Sequence, residues 1–155
     1  MLGLPLSNDS AFSQLLVNSY RRLVGESISP LGLQSGTETA RWLYETAPFC
    51  LLVHDTSADP VFVYANRAAQ RAFEYSWDEF VGMPSRLSAE APNRTERQEF
   101  MNEVLSRGYV TNYRGRRIAK SGRTFWIEEA TVWNVIDENG IVHGQAALIR
   151  RTADA

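Results

Sequence analysis

The chain holds one cysteine, Cys50, and two histidines, His54 and His143, in 155 residues. A single thiol excludes an intramolecular disulfide and any thiolate-rich zinc or iron–sulfur site, and two imidazoles leave little for a metal centre, so no metal is expected. Lysine is nearly absent: of sixteen Lys and Arg, only Lys120 is lysine. An excess of one sign of charge is lacking as well, since eighteen Asp and Glu leave a net charge of -2. That excludes a nucleic-acid binder relying on bulk charge and a charge-rich disordered chain. No apolar run approaches the roughly 18 residues of a membrane span. The start, MLGLPLSNDS, has neither a charged n-region nor a long apolar h-region, so no secretory signal is expected. The expectation is a cytoplasmic protein with no membrane partner. What is present, 44% hydrophobic and 22% charged residues, suits one ordinary globular core.

Hydrophobic spacing and breakers order the elements. Phe12, Leu15, Leu16, Tyr20, Leu23 and Val24 recur at helical spacing between the capping candidates Asp9 and Ser10 and a stop at Gly25. A loop rich in breakers, residues 29–36, follows. Ser35 and Glu38 then stand in capping-box register before Trp42, Leu43 and Tyr44, and Pro48 ends that helix. From there short apolar runs, 49–53 and 61–65, read as an antiparallel hairpin across the turn-forming segment 55–60. Asn66 caps a helix over 67–73. Ser76 and Glu79 make a second capping box and Thr95 and Gln98 a third, the last followed by Phe100, Met101, Val104 and Leu105 on one face. The end is a meander of strands, 109–118, 124–136 and 141–149, joined by two hairpin turns. Three parts result: an N-terminal helical extension over 1–34, a domain over 35–150 and a tail over 151–155.

The residues offer little chemistry. No glycine pair surrounds a serine as in a nucleophile elbow, and Cys50 lies in an apolar strand as a small hydrophobe. Glu128 and Glu129 alternate across a strand and so cannot pair as acid and base; His54 beside Asp55 reads as a turn pair. No enzymatic role is expected. The basic run 114–123, five charges in ten residues with aromatics nearby, permits a nucleic-acid-associated regulatory domain. Alternation splits its arginines between two faces, however, so solvated strand edges are the expected reading and nucleic acid is not the expected partner. The last strand is the most informative. Val142, Gly144, Ala146 and Leu148 form an apolar face, and His143 and Gln145 stand among apolar residues on the other. Should that face line a cavity, those two are the polar groups that orient a ligand.

Several phrases also resemble a known family. Residues 64–69 (Tyr-Ala-Asn-Arg-Ala-Ala), 84–86 (Pro-Ser-Arg), 113–117 (Tyr-Arg-Gly-Arg-Arg) and 140–147 are similar to the MEKHLA domain, a PAS-like module found in plant homeodomain–leucine-zipper proteins and as stand-alone bacterial proteins. The stand-alone form is the expectation. The resemblance implies an α+β fold: a five-stranded antiparallel sheet with short helices on one face, and a role in sensing or protein association. Gly82-Met83-Pro84-Ser85-Arg86 is similar in spacing to the segment that carries the photoactive cysteine in flavin-binding LOV domains. Ser85 stands at the cysteine position, Arg86 where an arginine meets the flavin phosphate, and Gln145 where a glutamine contacts the ring. Pro84 departs from that pattern, and Arg117 and Ile127 replace two ring-holding asparagines, so a covalent photocycle is excluded. Gln145, His143, Ser85, Arg86 and Asn66 are the candidate cavity or ligand positions. The expectation is a non-enzymatic sensor or interaction module that binds a small ligand between sheet and helices. It signals as a homodimer formed through its N-terminal helix or its sheet. The alternative is a flavin- or haem-binding redox or light sensor.

Overall fold

The computed structural model describes residues 6–30, 32–33 and 35–155, with the backbone alone at residues 91 and 92. Residues 1–5, and the breaker-loop positions 31 and 34, lie outside the described residues. Local sequence starts most helices. The Asp9 carboxylate accepts from Phe12 N at 3.0 Å and opens α1 (Ser10–Val24), which Gly25 closes with a left-handed φ of 87°. Ser35 accepts from Glu38 N at 3.1 Å and opens α2 (Gly36–Arg41), which widens into a π-helical turn at Trp42–Thr46. Asn66 caps α3 (Arg67–Phe73), and Ser76 with Glu79 forms a complete capping box on α4 (Trp77–Phe80).

The box expected from Thr95 and Gln98 does not form. The long helix α5 starts earlier, at Ala91, and runs to Arg107. Pro92 in its first turn supplies a helical φ where no amide donor is needed, while Gln98 instead donates to Asn102 at 3.0 Å.

Five antiparallel strands follow the expected order: β1 (Cys50–His54), β2 (Phe62–Ala65), β3 (Tyr109–Ile118), β4 (Thr124–Ile136) and β5 (Val142–Asp154). In space they run β2-β1-β5-β4-β3, so the central strand is the last one in sequence. Alternation divides β1 cleanly. Cys50 and Leu52 face α3 and α5, with Ala130 and Val132 of β4 and Ile149 of β5 beside them. Leu51 and Val53 face α1, with Trp133, Val135, Ala146 and Leu148.

Both faces of the sheet are therefore covered. α1, read from the sequence as an extension, lies on the second face of its own chain's sheet and buries Leu16, Val17 and Tyr20. Tyr20 meets Trp133 edge-to-face at 4.8 Å between centroids, and Trp133 Nε1 donates to Ser19 Oγ at 3.0 Å. This buried indole thus has its donor satisfied from across the interface.

Two of the sheet's register shifts change which way side chains point. In β4, Glu129 takes a φ of 51° and an extra residue separates the Gly115–Ile127 and Tyr113–Ala130 pairs. Glu128 and Glu129, expected on opposite faces, consequently both reach Arg151 Nε, at 3.1 and 3.5 Å. In β5, Gly144 pairs with Val135 and Val142 with Ile136, so His143 is an extra residue.

Candidate functional site

The five positions proposed from the sequence do not converge. Gln145 is buried on the α5 side of the sheet. His143, expected beside it, is turned outward by the bulge and sits 2.9 Å from the Asp137 carboxylate in the hairpin turn. Ser85 is buried, but its backbone serves the fold: its N–H donates to the Pro60 carbonyl at 2.8 Å and its carbonyl accepts from Ser88 Oγ at 2.8 Å. Arg86 lies exposed and paired with Asp59 at 3.2 Å, away from the sheet face.

Asn66, fully buried, ties four backbone groups together, all at 3.0 Å. Its Oδ1 accepts from Leu51 N and Ala69 N, and its Nδ2 donates to the carbonyls of Leu43 and Phe49. With those bonds made it has nothing left to offer a ligand.

A cavity of about 60 Å³ does lie where the ligand was expected, between the sheet and α5. At the roughly 30 Å³ that a water takes up in the liquid, it has room for about two. Its walls are mainly apolar, Leu52, Phe73, Phe100 and Ile127 among them. A second space of about 200 Å³ lies beside it, under the β1–β2 loop and α5, and the two share His54, Met101 and Gln145 as a common wall. The two spaces adjoin at these residues, the first as the chamber and the second as a vestibule beside it.

Gln145 is oriented by its neighbours. Its Nε2 donates to the Met101 carbonyl at 3.1 Å and to Asn134 Oδ1 at 3.2 Å, while Asn134 Nδ2 donates to the Leu105 carbonyl at 3.1 Å. Both partners of Nε2 are acceptors, which fixes the amide with Oε1 turned away from them. Oε1 is buried and, among the described residues, has no donor while the ring of His54, which it faces, is neutral. The reason is the tautomer: His54 Nδ1 lies 2.9 Å from the Asp55 carbonyl and must carry the proton, which leaves Nε2 an acceptor. Burial holds His54 below its ordinary value of 6.5, against the hydrogen bond to Asp55 and with a smaller push from Arg97, so the ring is neutral at pH 7.

Two arginines outside the five candidate positions complete the chamber. Arg97 of α5 and Arg117 of β3 are 6% and 7% exposed, and both line it. Arg117 donates to the Arg116 carbonyl at 2.8 Å and to Tyr113 Oη at 3.4 Å, and Tyr113 stacks on Phe100 at 3.7 Å. Gly115 makes this possible, because a Cβ there would stand 2.4 Å from the Tyr113 hydroxyl and 2.9 Å from the Arg117 guanidinium. The Tyr-x-Gly-x-Arg spacing of residues 113–117 is thus one face of β3 shaped to hold a guanidinium under α5.

A signal for Arg97 was present too. It stands three, four and seven residues before Phe100, Met101 and Val104, on the stripe that faces the sheet. Burial, then the Arg117 charge, brings its pKa down to about 10, so it remains a cation at neutral pH.

The other cations of the basic run are committed within the fold. Arg114 pairs with Glu128 at 2.8 Å and lies 3.8 Å over the Trp126 ring. Arg116 meets Glu90, Lys120 meets Glu79, and Arg123 meets Glu74 and Asp154. Cys50 is buried, and its thiol is pushed up to about 11, so it packs as a protonated hydrophobe. Among the described residues no serine, threonine or cysteine is hydrogen-bonded to either histidine, no acidic or sulfur cluster could hold a metal, and no helix is long and apolar enough to cross a membrane.

A five-stranded sheet in this order with short helices packed on it is the PAS/LOV-like fold, and solved structures agree. An RNA-binding light-oxygen-voltage receptor superposes with a TM-score of 0.64 at 24% identity, over 83% of this chain and 35% of that one. The PAS domain of a protein from Colwellia psychrerythraea gives 0.55 at 22%, over 70% and 87%. The light state of the photoreceptor Aureochrome1 LOV gives 0.56 at 18%, over 68% and 80%.

Within that class the family is specific. The MEKHLA domain model matches residues 10–153, α1 included, and the chain belongs to that family. The homeobox-leucine zipper protein ATHB-9 of Arabidopsis thaliana is 28% identical over 105 residues, which is 66% of this chain and 12% of that protein.

The residues present do not fit a flavin or a haem. A chamber of about 60 Å³ is far below the ~300 Å³ at which pockets for organic cofactors begin. Arg117 occupies the sheet face where the ring would lie, while Arg86 is outside on Asp59. His54, the one imidazole at the chamber, gives its Nδ1 proton to the Asp55 carbonyl and stands against Gln145 and Arg97.

Proposed function

We propose that the chain is a non-catalytic sensory module that takes a small molecule into the chamber between the sheet and α5 and reports its occupancy through protein association. The observation that carries this reading is Gln145 Oε1: a buried acceptor without a donor, standing in the wall between an apolar chamber and a vestibule. A buried polar atom left unpaired costs about 1–3 kcal/mol. A ligand or a water that donates to it recovers that cost, and the vestibule gives access.

Ligand occupancy would act on α5, because Phe100, Met101 and Arg97 of that helix line the chamber. Association with a second copy belongs to the same proposal. α1 is seated on its own sheet, so such a contact would use surface that remains exposed, Leu105 and Ile141 included. A lone, free thiol suits the reducing cytoplasm, where this reading puts the module.

The test is to denature freshly purified protein and identify what it releases by mass spectrometry, beside a visible absorption spectrum. A colourless protein that releases one small molecule in stoichiometric amount is the expected result. A flavin or haem spectrum would overturn the reading of the chamber.

A further inference from the structure

From the same chamber we infer the class of its ligand: a small carboxylate, held between the guanidinium groups of Arg97 and Arg117. The inference rests on the reading of this space as a ligand site. Two guanidinium groups more than nine-tenths buried line one cavity, and neither makes a salt bridge among the described residues. Every other cation of the neighbouring basic run faces a carboxylate at 4.0 Å or less, whereas among the described residues Arg117 is met only by a carbonyl and a phenol. The carboxylate whose charge reaches Arg97 is Glu96, which points outward and accepts from Tyr113 Oη at 3.4 Å. Buried charges are ordinarily paired, and two like charges facing one space ask for an anion between them.

The walls select among anions. They are mainly aliphatic and aromatic, Leu52, Phe73 and Ile127 among them. A phosphate or sulfate would set unpaired oxygens against them, at the cost of burying polar atoms without partners. A carboxylate concentrates its charge at one end, where a planar guanidinium binds it in a bidentate fork, and turns carbon toward the apolar wall. A space for about two waters admits only a molecule of a few non-hydrogen atoms, with any remainder in the adjoining space. A hydroxyl on such a molecule would supply the donor that Gln145 Oε1 lacks.

The experiment is thermal unfolding of the full chain with acetate or lactate, against phosphate and the neutral analogues acetamide and propan-1-ol. Carboxylate at 100 times its dissociation constant raises the midpoint by about 5–10 °C. Two variants separate binding from folding. Arg97→Met keeps volume and removes one of the like charges, so it should fold at least as stably without ligand while losing the carboxylate shift. Arg117→Gln should weaken the response at least tenfold. If the neutral analogues stabilise and the carboxylates do not, or if Arg97→Met responds as the unaltered chain does, the inference fails while the ligand reading stands. If phosphate stabilises as well as lactate, the carboxylate class is wrong. If no compound shifts the midpoint, both readings fall.

Discussion

Replacing Asn66 by alanine should be the most damaging polar substitution in the protein, although its sequence signal was no more than a helix cap. The side chain is fully buried and closes four hydrogen bonds of 3.0 Å that join β1, α3 and the chain around Leu43 and Phe49. Alanine removes the cap of α3, worth about 1 kcal/mol. It also strips the Leu51 amide and the Leu43 and Phe49 carbonyls of this partner, at about 1–3 kcal/mol for each buried group left unsatisfied. Some of those groups will find water or each other, so the expected loss is about 3–5 kcal/mol. With a urea dependence of about 2 kcal/mol/M the midpoint falls by about 1.5–2.5 M at constant slope. Asn66→Asp sharpens the test. It retains both acceptor bonds and the cap but loses both donors and buries a carboxylate beside two carbonyls, so it should cost at least as much. Equilibrium urea unfolding followed by tryptophan fluorescence measures both. A loss below about 1 kcal/mol for either variant would refute the structural role assigned to Asn66.

Three further outcomes follow from other contacts. Gly144 lies where β5 crosses the end of β1, and a Cβ there would stand 2.3 Å from the His54 carbonyl; Gly144→Ala should cost about 1–3 kcal/mol, and an unchanged urea midpoint would show that β5 is free to shift. His54 is held below 6.5 by burial, with Arg97 adding to the effect and Asp55 opposing it, so the unfolded chain takes up a proton that the folded chain refuses. Stability should therefore fall as pH drops from 7 through 6.5 toward 5.5, above the range in which the carboxylates titrate, and His54→Gln should flatten that slope; a midpoint that is level or rises on acidification would contradict it. Deleting residues 1–34 uncovers Trp133, Val135 and Leu148, so the truncated chain should sediment as larger species or unfold at lower temperature. An unchanged mass and midpoint would show that α1 adds nothing to the core.

Where local chemistry decides the structure, the sequence was legible. Asp9, Ser35, Asn66 and Ser76 each cap the helix they were expected to cap, and the hairpin and meander fall where turns separate apolar runs. Thr95 misled because a proline earlier in the chain already supplied a first turn. His143 misled because alternation assumes an unbroken strand, and a bulge consumes one residue without announcing itself. The chamber was half legible. Gln145 was found by its place among apolar neighbours, whereas Arg117 was read as part of a solvated basic run and Arg97 was not singled out. Burial of a guanidinium is a tertiary event, and it shows in sequence only as an arginine on an apolar stripe or beside the glycine that makes room for it.

The central claim, that Arg97, Arg117 and Gln145 form one carboxylate-binding chamber, is tested most directly by ¹H–¹⁵N spectra during titration with sodium acetate against sodium chloride. The account predicts saturable shifts of the Arg97 and Arg117 Nε–H signals, the Gln145 side-chain amide and the α5 backbone around Met101, with Arg86 and His143 unmoved. Weak, non-saturating shifts spread over the exposed Arg107, Arg114 and Arg123 would contradict it.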